Sequence, residues 1–145
     1  MTKEAPEEIR RAPVLDGIHL AIVGTRVLEH PGDVERATLC IDRMIGDLVP
    51  ARILTGGADG VDTIAEAVAT LSGYSSARGT LVVLRPSSPS WLGSGGYLAR
   101  NREIVTHCTH LLRISCEGSE TGGSLWTARE ARKRGRVVME EKACP

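Results

Sequence analysis

Five short apolar runs constrain this sequence more than anything else in it. They are IHLAIV (18–23), RILT (52–55), TLVVL (80–84), HLLRI (110–114) and RVVM (136–139), with helix-sized stretches between them. Each run is nearly continuous in apolar residues and does not alternate. A strand built from such a run is buried on both faces. That requires helices on both sides, as in a parallel sheet joined by right-handed crossovers. The predicted architecture is therefore α/β: a doubly wound, Rossmann-like, five-stranded parallel sheet in the order 3-2-1-4-5, with helices on both faces.

The intervening stretches carry helical spacing and stop signals. In 33–48, Val34, Ala37, Leu39, Ile41, Ile45 and Leu48 recur on a helical period, Asp33 or Gly32 is placed to cap the start, and Pro50 ends the element. Further helices are predicted over 61–71, ended by Gly73, over 98–107, and over 124–134. Segments 85–97 and 115–123 read as polar loops. Residues 1–16 are rich in charge and proline and read as a flexible tail, 17–140 as one domain, and 141–145 as a frayed end.

Composition narrows the chemistry. The chain has no Phe, two Trp and two Tyr, so its core is aliphatic. With 18 basic and 18 acidic side chains the net charge is zero, and global charge argues for neither nucleic acid nor membrane. No apolar run approaches the ~20 residues that span a bilayer, so a soluble, cytoplasmic protein with no membrane partner is expected. Cys40, Cys108, Cys116 and Cys144 show no C-x-x-C spacing and are expected to be free thiols in a reducing compartment. His19, His30, His107 and His110 lack ligand spacing with Cys or Asp, so neither a metal nor a cofactor is expected.

In a sheet of this kind ligands bind beyond the carboxyl ends of the strands, near the point where strand order reverses. Four unusual segments follow strands and so converge on that edge. Gly24 permits a sharp turn, Thr25 offers a hydroxyl and Arg26 a forked cation suited to phosphate. Gly56, Gly57, Asp59 and Gly60 lie in a glycine-rich turn whose backbone N–H groups can face an anion at a helix start. Gly122, Gly123 and Ser124 repeat that device, with Thr127 one turn further in. Arg100, Asn101 and Arg102 open the third helix. Trp91, Tyr97 and Trp126 are the aromatic candidates nearby, although Trp126 could equally be core. Asp59, Asp62, Glu66 and Glu120 could act as general acid or base, but such residues more often cap helices or pair with arginine, and no catalytic residue is assigned. The reading leans away from an enzyme.

These motifs, in this order, resemble the SMF/DprA–LOG (SLOG) superfamily of Rossmann-like domains. They are most similar to its DNA-processing protein A (DprA/Smf) branch. The matching stretches are Ile22-Val23-Gly24-Thr25-Arg26, Leu54 through Asp62, Arg100-Asn101-Arg102-Glu103-Ile104, and Gly123-Ser124-Leu125-Trp126-Thr127-Ala128. The resemblance implies a minimal module for DNA recombination that binds single-stranded DNA, forms a homodimer and engages RecA. It implies contacts from Arg26, Gly56, Gly57, Gly60, Arg100, Asn101, Gly123, Ser124 and Thr127. Small standalone members of the superfamily point instead to a sensor of a small nucleotide or an ADP-ribose-type ligand. The LOG branch acts as a nucleotide phosphoribohydrolase, but stretch 120–129 lacks the proline, the second Gly-Thr pair and the glutamate of its motif.

Overall fold

The computed structural model describes residues 17–116 and 123–143. The expected tail at 1–16 lies outside the described residues. Strands β1 (His19–Gly24), β2 (Arg52–Thr55), β3 (Leu81–Val83), β4 (His110–Ser115) and β5 (Val137–Lys142) alternate with helices α1 (Pro31–Leu48), α2 (Val61–Leu71), α3 (Tyr97–His107) and α4 (Gly123–Lys133). All strand pairings are parallel, in the order β3-β2-β1-β4-β5, as predicted.

The continuous apolar runs do what their pattern requires. Successive residues of one strand enter two separate aliphatic layers. Leu20, Ile22, Ile53, Leu112 and Ile114 pack against α1 and α2 through Ala37, Ile41, Ala65 and Val68. Ala21, Val23, Leu54 and Leu111 pack on the other face against α3 and α4 through Ile104, Val105, Ala128 and Ala131. The chain first winds outward from β1 to β3 along one face. It then crosses to β4 on the far side of β1 and covers the second face. The reversal point therefore lies between β1 and β4, where Gly24 is level with Ile114.

Three local details differ from the sequence reading. Helix α1 begins two residues early, at Pro31, because Asp33 acts from inside its first turn. Its carboxylate accepts a hydrogen bond from the His30 N–H at 3.2 Å and pairs with Arg36 at 2.6 Å. Proline suits that first position because its missing N–H would have no partner there. Of the end expected to fray at 141–145, residues 141–143 are tied into the fold and 144–145 lie outside the described residues. Glu141 and Lys142 pair with β4, and Ala143 is buried, with its N–H donating to the Ser115 carbonyl at 3.0 Å and its carbonyl accepting from Arg36 Nε. The expectation of four free thiols holds for Cys40 and Cys108 and fails at Cys116, which is disulfide-bonded. Sequence spacing reveals adjacent pairs such as C-x-x-C but not cysteines that the fold brings together from afar. Among the described residues no helix is long and apolar enough to cross a membrane.

Candidate functional site

The loops after β1 and β2 are locked to each other at the carboxyl edge of the sheet. Thr25 N–H donates to the Ile114 carbonyl at 3.0 Å, and Val61 N–H donates to the Thr25 carbonyl at 3.1 Å. Two glycines make this approach feasible. A side-chain carbon on Gly24 would collide with the Ile114 carbonyl and with Val61, and one on Gly60 would strike the Thr25–Arg26 backbone. Gly60 also sits at φ 75°, where an L side chain is strained.

Beneath this junction lie two buried groups of opposite charge. Asp62, 5% exposed, points back from the first turn of α2 and accepts a hydrogen bond from Ala58 N–H at 3.1 Å. Burial pushes its carboxyl above the usual carboxylate range, opposed by that hydrogen bond and by the Arg100 and Arg26 charges. Arg100, 9% exposed, reaches across from α3. Its Nη1 donates to the Gly56 carbonyl and its Nε to Asn101 Oδ1 at 2.7 Å. Burial lowers the Arg100 pKa, with Asp62 pulling it back up. The expected glycine turn is thus held from below: Ala58 N–H is committed to Asp62, and the Gly56 carbonyl to Arg100.

The remaining donors turn toward a niche of about 40 Å³ between α3, α4 and the loop after β1. Asn101 is 4% exposed; its oxygen is taken by Arg100, and among the described residues its amide nitrogen donates no hydrogen bond. That nitrogen lies 3.2 Å from where a side chain on Gly123 would begin, so the glycine keeps the niche open. The Ser124 hydroxyl lines the niche while its oxygen accepts from Arg113 Nε at 3.1 Å. Thr127 faces the niche, and its hydroxyl donates to the Gly123 carbonyl at 2.7 Å. Arg26 lies over the Tyr97 ring, 4.4 Å from its centroid. A second, larger cavity of about 150 Å³ adjoins through Arg100, between the end of β3 and α3.

Of the residues that the sequence nominated, Arg26, Arg100, Asn101, Gly123, Ser124 and Thr127 line this niche together. Gly24, Thr25, Gly56 and Gly60 frame it by backbone contact. Gly57, at φ 70°, packs instead against Arg85, and Asp59 and Arg102 are exposed outside it. Gly122 lies outside the described residues. Two residues that the sequence reading passed over belong to the site. Asp62 had been read as a helix cap, an arginine partner or an acid–base candidate, without being tied to Arg100 in particular. Arg113 stands in the middle of β4, bonded to Ser124 on one side and to Glu140 at 2.9 Å on the other; Arg132 meets Glu140 at 2.5 Å. A charged residue inside an apolar strand run was the signal for Arg113, since buried guanidinium groups are rarely left unpaired.

No family model and no curated protein matches the chain. Among solved structures it is similar to the molybdenum cofactor binding protein from the phototrophic bacterium Rippkaea orientalis, at 18% identity and a TM-score of 0.65, over 88% of this chain and 78% of that one. At that identity the likeness carries the fold: this chain is a five-stranded, Rossmann-like α/β domain.

Proposed function

We propose that this protein is a binding module that takes one small phosphate-bearing ligand in the niche at the start of α4. The observation that carries the reading is the set of donors facing a space of phosphate size: the amide nitrogen of buried Asn101, with no partner among the described residues, beside buried Arg100, the half-buried Ser124 hydroxyl and the exposed Arg26. An incoming oxygen acceptor would give that nitrogen a hydrogen bond, worth about 0.5–1.5 kcal/mol. The start of α4 adds its partial positive charge. The structural neighbour is named for binding a cofactor, which supports a ligand-binding use of this fold.

Single-stranded DNA, with RecA and a homodimer as the resemblance implies, is the reading less favoured by the geometry. A DNA strand is tracked by a row of free cations and stacking rings. Here Arg85 pairs with Glu66, Arg113 and Arg132 with Glu140, and Arg100 turns inward to Gly56.

Calorimetry with inorganic pyrophosphate tests the proposal. One site per chain is expected. Arg26→Ala should weaken it about tenfold. Asn101→Asp keeps the oxygen that Arg100 needs but replaces the amide donor with a charge, and should abolish binding. If pyrophosphate does not bind while oligo-dT binds with steep salt dependence, the DNA reading replaces this one.

A further inference from the structure

We infer that the larger cavity, between the end of β3 and α3, is a second site that takes a small zwitterion. Its ligand is the head of an α-amino acid, with the carboxylate toward Arg100 and the ammonium toward Glu103. The inference stands apart from the phosphate niche and survives if that reading fails.

Two charges on one wall carry the argument. Arg100 and Glu103 both line the cavity and lie three residues apart on α3. Opposite charges at that spacing are neighbours on a helix and ordinarily pair. Here they turn from each other. Arg100 donates from Nη1 to the Gly56 carbonyl and from Nε to Asn101. Glu103 meets His107 Nε2 at 3.3 Å. Each keeps capacity to spare. Arg100 is buried, and its Nη2 makes no hydrogen bond among the described residues. Glu103 has no further partner among them, and a carboxylate can accept about four hydrogen bonds. Burial pushes the His107 pKa below its usual value, against the pull of Glu103, so at neutral pH the imidazole does not cancel the carboxylate charge.

The rest of the wall suits the same ligand. Ala99 N–H, in the first turn of α3, has no partner among the described residues, and such N–H groups face out along the helix axis toward an anion. The loop before α3 is preset: Ser87 and Ser88 N–H both donate to the Gly95 carbonyl, at 2.9 and 3.0 Å. A side chain on Gly95 would collide with the Ser87 hydroxyl, which also lines the cavity. A purely anionic ligand would be set against Glu103 and a purely cationic one against Arg100, whereas a zwitterion answers both charges. The volume of about 150 Å³ is that of a cavity that admits benzene, roughly six non-hydrogen atoms, which selects an amino acid with little or no side chain.

The test is an amide NMR titration of the full chain with glycine, L-alanine and L-serine, and with propionate and ethylamine as probes that each lack one of the two charges. At least one amino acid should move the Ala99 and Ser87 signals saturably and bind about tenfold more tightly than either single-charge probe. Glu103→Gln should bring that amino acid down to the affinity of propionate, and Glu103→Asp should recover part of the loss, with the spectra of both variants showing that they fold. A single-charge probe that binds as tightly as the amino acids would overturn the inference. So would unchanged amino-acid affinity in Glu103→Gln, or no movement at Ala99 with any of the five probes. Pyrophosphate is titrated in the same spectra through the Gly123 and Ser124 signals, so that cavity and niche can each fail alone.

Discussion

Arg52 and Arg100 are two buried arginines at opposite ends of one sheet, and they are treated in opposite ways. Arg100, at the carboxyl edge, is bonded to Gly56 and Asn101 and sits in the field of Asp62. Arg52, at the amino edge, is 7% exposed, and its Nε has no hydrogen-bond partner. Burial alone lowers the Arg52 pKa. The rest of the amino edge is closed by its own backbone: Ala51 N–H bonds Ile18, Thr109 N–H bonds His19, and Val137 N–H bonds Thr109. Burial of a cation is therefore no mark of function by itself. What distinguishes the carboxyl edge is that its charges are paired into a frame, and the frame leaves other donors turned toward open space.

The contrast breaks most visibly if Arg100 is replaced. Arg100→Met strands the Asp62 carboxylate and the Gly56 carbonyl, and should cost about 3–5 kcal/mol in chemical denaturation while abolishing pyrophosphate binding. Arg52→Met removes a charge that nothing compensates. It should have the opposite sign, stabilising by about 1 kcal/mol with pyrophosphate affinity unchanged. Equal losses from both would mean that the two arginines are not distinguished by their partners.

A smaller effect should separate the edges by pH. Hydrogen bonds from Arg132 and Arg113 hold the Glu140 carboxyl below its usual value near 4.5. A depressed carboxylate stabilises the fold above its unfolded pKa and loses that contribution as pH falls through the folded one. Stability should therefore decline below about pH 4.5 more steeply in the wild type than in Glu140→Gln, read by thermal unfolding across pH. Arg113 also holds Ser124, so Glu140→Gln should weaken pyrophosphate modestly at neutral pH.

The smallest effect belongs to the amino edge. Val49 ends α1 in the left-handed region, at φ 46° and ψ 59°, an awkward conformation for a β-branched residue. Val49→Gly should stabilise the fold by under about 1 kcal/mol once the greater freedom of glycine in the unfolded chain is counted, read as a slightly raised melting temperature. Binding should not change.

The amino-acid sequence by itself determined the sheet and its order, because continuous apolar runs such as IHLAIV and HLLRI have no stable use other than strands covered on both faces. It also determined which edge carries the glycines and polar residues, since each of these segments follows a strand and parallel strands end on one side. Only the tertiary structure decided what the members of that edge do. Arg100 reads in sequence as one more phosphate-facing cation, yet it supports the Gly56 turn from within; Asn101 reads as its neighbour, yet it holds the open donor. Asp62 meets the field of Arg100 from another helix, and Arg113 joins Glu140 across 27 positions of chain. Local pattern records which face of an element is apolar. It does not record which polar atoms are consumed by partners distant in sequence, and that remainder defines the niche.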